Sequence, residues 1–404
     1  MPTHSAFSTS LPFLTFTPST LAASGDTLIV IFLRGAADML NLIVPHSEDA
    51  YYQLRPILGI PRPDDSRARP DQRAIDLDGY FGLHPALRPL LPAWQARHLA
   101  VIHACGAQDE SRSHFKSQEL MERGVSDERG PASGWIGRHL ATLHTTNLSP
   151  LRAIGLGEMP QRSLSGAAPV TAFRSIEDFR FGSDAHHANI LQSALAALYT
   201  GEQPLATLGQ ETLGLLDALS MLGSPDEQPI SDLPYPQGEF GLGLQQIAML
   251  VKAGLGLEVA AIDLGGWDTH FAQGGVNGQM ANLAAELGQG LAALHADLDS
   301  RLQRLTVVVM TEFGRRAYEN GSLGTDHGHG AAMLVLGGNV LGGKVYTHWP
   351  GLTPNQLLPP GDLAVTIDYR HVLAEICLKR LHNPSLAQIF PEFTPNPLGL
   401  FQEI

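Results

Sequence analysis

Thr27-Leu28-Ile29-Val30-Ile31-Phe32-Leu33 is an unbroken run of β-branched and apolar residues. It is too short for a buried helix and shows no polar alternation, so it reads as a central strand covered on both faces. Comparable runs follow at residues 98–103, 257–263, 305–310 and 333–336. Helical patterns at 86–96, 114–123, 188–199, 279–303 and 371–381 separate several of them. Strand and helix in alternation predict an α/β fold with a largely parallel central sheet and helices on both faces. Open sheets of this kind bind ligands beyond the carboxyl ends of their strands, so the residues just past each run are the ones to inspect.

The rest of the chain sets the boundaries of that prediction. It has 404 residues, 44% hydrophobic and 16% charged, enough for a large globular core. Pro- and charge-rich segments near 55–80 and 200–240 read as insertions in one domain spanning 27–404, because neither is a long polar linker. Residues 1–26 hold no Lys or Arg and read as a flexible leader, with a degenerate export signal as the alternative. A net charge of −14 disfavours nucleic acid and anionic membranes as partners. No apolar run is long enough to span a bilayer. Cys105 and Cys377 form no paired motif and read as buried apolar residues.

Polar clusters follow the predicted strands. Gly324-Thr325-Asp326-His327-Gly328-His329-Gly330 sets an acid and two imidazoles among glycines, which suits a loop that ligates a zinc-like ion. Gly265-Gly266-Trp267-Asp268-Thr269-His270 offers an Asp and a His past another glycine pair. Glu312 ends the run at 305–310 beside Arg315 and Arg316, where it could ligate a metal or pair with those arginines. Asp38 is a candidate ligand after the first strand, and Arg34 a candidate clamp for phosphate or sulfate oxygens. Ser113 opens a predicted helix, either as its N-cap or as a nucleophile beside a metal. Such a set could serve one or two divalent ions, zinc, manganese or magnesium, that activate a hydroxyl and stabilise developing charge.

The order of these motifs resembles the alkaline phosphatase and sulfatase superfamily. More narrowly, FLRGAADMLNLIVPH (32–46), FGLHPALRPL (81–90), SRSHFKSQELMERG (111–124), GWIGR (134–138), GGWDTH (265–270), TEFGRR (311–316), GTDHGHG (324–330) and TIDYRHVLAEIC (366–377) are similar to a bacterial sulfatase-like family of unknown function, often exported by the twin-arginine route. That resemblance implies an alkaline-phosphatase-like three-layer sandwich. It also implies a metal-dependent hydrolase or transferase of small anionic phosphate or related sulfate esters, with Ser113 as nucleophile and Ser111 as the alternative. Arg34, Arg112 or Arg315 would grip the anion. Asp38, Asp268, His270, Glu312, Asp326, His327 and His329 would supply the ligands, with His329 sharing an ion with Asp268 and His270. Two departures stand out. Asp38 lies several residues late, and Phe313 occupies a place where the superfamily carries a ligating histidine, leaving Asp326 or His327 to replace it. No Cys or Ser here precedes the Pro and Arg that sulfatase formylglycine formation requires, which ranks phosphate above sulfate esters. The resemblance implies export, whereas a leader without Lys or Arg leaves a cytoplasmic location as the alternative. The alternative function is a non-catalytic binding or secretion-associated protein with a degenerate site.

Overall fold

The computed structural model of the chain describes residues 26–147, 149–179, 185–199, 204–220 and 234–402. The expected leader, apart from Asp26, and parts of the expected insertion at 200–240 lie outside the described residues. The strands are β1 (Thr27–Leu33), β2 (Ile43–Val44), β3 (Ile75–Asp76), β4 (Gly82–Leu83), β5 (Leu99–Gly106), β6 (Ala153–Leu156), β7 (Thr171–Phe173), β8 (Val259–Leu264), β9 (Leu305–Thr311), β10 (Ala331–Leu336), β11 (Lys344–Tyr346) and β12 (Ile367–Asp368).

Nine strands form one sheet in the order β11-β5-β10-β9-β1-β8-β6-β7, with β12 also paired to β5. Strand β1 lies at its centre, parallel to β8 on one side and β9 on the other. Every residue of β1 is buried, as an apolar run without alternation requires. Its side chains divide by parity. Ile29, Ile31 and Leu33 join Val307, Ile262 and the helix residues Leu244, Leu287 and Leu291 in one core. Leu28, Val30 and Phe32 join Val308, Met310 and the helix residues Trp135, Val372 and Ile376 in the other. Helices therefore cover both faces, and the architecture is mixed α/β around a mostly parallel sheet. A small sheet, β2-β4-β3, stands apart, and residues 55–80 contribute β3 to it.

One strand breaks the parallel pattern. Strand β10 runs antiparallel to both β9 and β5. It therefore enters the sheet from the edge where β1, β5, β8 and β9 end. The segment 312–330 turns back on that edge, and the loops after β1, β5 and β8 meet it there. Among the described residues no helix is long and apolar enough to cross a membrane.

Candidate metal centre

The loop leaving β9 and the loop entering β10 zip together before the site begins. Gly314 N–H donates to His329 O at 2.8 Å, Gly328 N–H to Gly314 O at 2.8 Å, and Arg316 N–H to Asp326 O at 3.0 Å. Close approach needs glycine at two places. A Cβ at Gly324 would stand 2.4 Å from the His270 backbone, so only glycine lets the 324–330 loop lie against the 265–270 loop. Gly35 combines a φ of +115° with a notional Cβ contact of 2.5 Å to Asp268 N, which brings the β1 loop under the same acid.

Gln273 joins the two ligand-bearing loops. Its side-chain oxygen accepts from Thr269 Oγ1 at 2.9 Å and from Thr325 Oγ1 at 2.7 Å, and its Nε2 donates to Asp38 at 2.6 Å. The two threonines sit immediately beside Asp268, His270 and Asp326. A fully buried amide thus fixes the spacing of the acids and imidazoles.

Three imidazoles converge on one carboxylate oxygen. Asp268 Oδ1 lies 3.1 Å from His327 Nε2, 3.2 Å from His270 Nε2 and 3.4 Å from His114 Nε2. In each ring the other nitrogen faces an oxygen that can only accept. His114 Nδ1 meets Glu312 Oε1 at 2.8 Å, His327 Nδ1 meets Arg112 O at 2.9 Å, and His270 Nδ1 meets Asp326 Oδ1 at 3.3 Å. Those contacts place a proton on each Nδ1 and, in the neutral ring, a lone pair on each Nε2.

That donor set suits a cation. His270 Nε2 and His327 Nε2 are only 2.8 Å apart, so in neutral rings two lone pairs face each other. His114 Nε2 is buried without a hydrogen-bond partner. Asp268 Oδ1 already accepts from Arg315 at 2.7 Å, and it cannot accept from three more donors at once. Tetrahedral zinc with bonds near 2.0–2.2 Å sets neighbouring donor atoms about 3.3 Å apart. The observed 3.1–3.4 Å spacings around Asp268 agree with that. His114, Asp268 and His327 have ligand atoms all within 4.8 Å of one another, with His270 adjoining.

Electrostatics reinforce the arrangement. Burial works against the Asp268 carboxylate, but the bond and the charge of Arg315 outweigh it and hold the group down at about 2. Glu312 is also lowered: burial opposes its charge, and bonds from His114, Gln118 and Gly35 N–H prevail. His114 is raised, chiefly by its bond to Glu312 and against burial. His327 is lowered, chiefly by burial. Asp326 is lowered first by its bond from Asn320. The carboxylates stay charged at neutral pH, and burial favours the neutral form of His327.

Of the residues expected from sequence, the structure brings together Asp268, His270, Asp326 and His327, and places Glu312 behind His114. Glu312 is fully used as an acceptor, from His114, Gln118 and Gly35 at Oε1 and from Thr311 at Oε2. Through Oε1 it fixes the orientation of the His114 ring. Asp38 is buried against Arg55 at 2.7 Å and Gln273 at 2.6 Å, five residues past the end of β1. His329 Nε2–H donates to Ala107 O, 2.9 Å away, which engages that nitrogen with the backbone.

The expected anion clamps are also committed elsewhere. Arg34 pairs with Glu122 at 2.8 Å and Asp263 at 3.0 Å. Arg112 pairs with the buried Asp362. Arg315 is fully buried and donates to Ala36, Thr325, Gly35 and Trp267 carbonyls as well as to Asp268. Ser113 is exposed at the N-cap of the helix His114–Arg123, and its side chain makes no capping bond. Sequence reasoning missed His114. The signal was there, since an imidazole directly after Ser113 begins a helix on the ligand-binding edge, but the serine drew the attention.

A family profile described as "Protein of unknown function (DUF1501)" matches residues 101–376. This overturns the resemblance to sulfatases and alkaline phosphatases: the matching family is a different one, and no sulfatase or alkaline phosphatase profile matches. No curated protein matches the chain. One solved structure, titled "Crystal structure of Ps i-CgsB in complex with k-i-k-neocarrahexaose", is similar at a TM-score of 0.37 and 9% identity, over 93% of this chain and 74% of that one. Likeness at that level supports neither a fold nor a function.

Proposed function

We propose, for a chain that belongs to the DUF1501 family of proteins of unknown function, a divalent-metal-dependent hydrolase of phosphate or related esters. One observation carries this reading: His114, His270 and His327 all turn Nε2 toward Asp268 Oδ1 while acceptors hold each Nδ1. Oriented imidazoles backed by carboxylates or carbonyls are the usual support of a metal. A bound zinc, manganese or magnesium ion supplies Lewis acidity and lowers the pKa of a coordinated hydroxyl or water.

The chain's own groups then divide the work. His114, Asp268 and His327 hold the ion, with His270 beside them. Glu312, Asp326 and the Arg112 carbonyl fix the rings. Arg315 keeps Asp268 ionised and in place. Ser113 stands next to His114 with its hydroxyl free of a capping bond, at the start of a ten-residue helix whose first turn carries no acid. The helix N-terminus favours negative charge there. In the serine route, Oγ forms a bond to phosphorus as the ester P–O bond breaks, the hydroxyl proton leaves with the alcohol, and water then releases phosphate from the serine.

Committed guanidiniums favour a second reading, in which the same centre binds metal without turnover. Zinc-, manganese- or magnesium-loaded protein assayed on phenyl phosphate, bis-aryl phosphate and aryl sulfate separates the two. Turnover that falls at least 100-fold in Ser113→Ala supports the serine hydrolase. Turnover that survives this change points to bound water as nucleophile, and metal binding with no turnover on any ester overturns the hydrolase.

A further inference from the structure

Of the three contacts that fix the site imidazoles, the one on His327 is made by main chain. Its Nδ1–H donates to Arg112 O at 2.9 Å, across 215 residues of sequence. A carboxylate can be aimed by its own torsions, but a carbonyl goes only where its backbone goes. Arg112 lies in the segment 107–113, which joins β5 to the helix His114–Arg123 and has no strand or helix of its own. His329 and Ser117 hold the carbonyls of Ala107 and Ser111 in that segment. Residue 112 itself is held by its side chain.

Asp362 makes that hold. It is fully buried, and its Oδ2 accepts from Arg112 Nε at 3.1 Å and from Nη2 of the same guanidinium. Its Oδ1 is buried with no hydrogen-bond partner. Among the described residues Arg112 is the one ion-pair partner of this carboxylate. A charge taken out of water is costly without its partner, so the pairing ties residue 112 to residue 362.

The same turn also grips the other half of the His327 contact. Leu358 N–H donates to Asp362 O at 2.9 Å and Asp362 N–H to Leu358 O at 2.8 Å, which closes the turn 358–362. Ala317 N–H donates to Gly361 O at 2.9 Å and Gly330 N–H to Leu363 O at 2.8 Å. Those bonds fasten the turn to the loop leaving β9 and to the end of the loop that carries His327. We infer that Asp362 is a positioning residue of the metal centre: it sets the Arg112 carbonyl against His327 Nδ1 and so keeps Nε2 of that ring directed at Asp268 Oδ1, 3.1 Å away. This rests on the metal-site reading above. Released from the carbonyl, the ring can take either tautomer and turn from the ion.

Zinc affinity of the full chain, measured by chelator competition, tests this role in a double-mutant cycle of Asp362→Asn with His327→Ala. Asp362→Asn alone should bind zinc about tenfold more weakly than the parent, the loss typical of an outer-shell partner. In the His327→Ala background the same change should cost about twofold or less, because no ring is left to orient. Visible bands of the cobalt-loaded protein should change with Asp362→Asn in the parent and stay as they are when it is added to His327→Ala. Arg112→Lys keeps a cation beside Asp362 but lacks the fork that makes two bonds, so it should weaken zinc in the same His327-dependent way. It carries the test if Asp362→Asn does not fold. An unchanged affinity in the variant, or an equal loss with and without His327, overturns the role of Asp362 and leaves the centre standing. A parent that binds no zinc, or binds it equally well without His327, refutes the centre and this role together.

Discussion

Glu312 Oε1 accepts the Nδ1 proton of His114 at 2.8 Å, across 198 residues of sequence. A carboxylate can only accept, so this contact fixes the imidazole tautomer and turns Nε2 toward Asp268. The same oxygen also accepts from Gln118 and from Gly35 N–H, which ties the helix His114–Arg123 to the loop after β1. Glu312→Gln keeps the shape but removes the charge and reverses part of the donor pattern. Zinc affinity, measured by chelator competition, should fall about 10-fold or more, in the range typical of outer-shell partners. An unchanged affinity would show that His114 does not need this orientation.

Gln273 is the second positioning residue. Gln273→Leu removes the acceptor shared by Thr269 and Thr325 and the donor to Asp38. The two ligand loops would lose their common tie while each remained attached to its strand. Metal affinity should weaken about 10- to 100-fold. Gln273→Glu tests the same link from the other side, because it keeps the acceptor and places a second acid against Asp38.

Arg315 is expected to matter for folding more than for catalysis. Its guanidinium is fully buried among backbone carbonyls and Asp268. Arg315→Met would leave those acceptors unpaired at a cost of about 3–5 kcal/mol. Urea unfolding of the metal-free protein should show that loss. A variant as stable as the parent would indicate that water or a shifted loop takes over the carbonyls.

The sequence makes the strands of the central sheet legible because runs such as 27–33 and 305–310 are buried on both sides and carry no charged residue. It also marks the edge where ligands gather. Direction is another matter: the apolar pattern of β10 is the same for a parallel and an antiparallel strand, and only the pairing shows that 324–330 enters from the ligand edge. Partners distant in the chain are similarly hidden. Arg112 and Asp362 are 250 residues apart, and nothing local reveals that this arginine is already paired. Ser113 and His114 show a different failure. Both sit at the helix start, and capping chemistry explains a serine so readily that the neighbouring imidazole goes unweighed. Short segments such as β6 and β7 carry too few residues for periodicity to register.

Acid should destabilise the protein through three buried imidazoles. His84, His103 and His139 are each pushed down to about 4, in every case chiefly by burial. Their folded pKa values lie below the unfolded value near 6.5, so between those limits the unfolded chain binds more protons. The stability they contribute is complete above about 6.5 and is lost as pH falls toward 4. Melting temperature of the metal-free protein should therefore decline from pH 7 to pH 5. His103→Gln should flatten that decline, whereas a parent with no pH dependence over this interval would show these rings to titrate in the fold as they do in the unfolded chain.

On the reading proposed above, His114, Asp268 and His327 form one divalent-metal centre. Zinc titration of the chelator-stripped full chain, beside His114→Ala, Asp268→Asn and His327→Ala and with Asp38→Asn and His329→Ala as controls, tests it most directly. The parent should bind one zinc ion per chain. The first three variants should lose at least 100-fold in affinity, and His329→Ala should bind like the parent, with folding of every variant checked by circular dichroism. A parent that binds no zinc, manganese or magnesium, or a loss that falls on His329 and Asp38 while His114 and His327 are dispensable, would contradict the account.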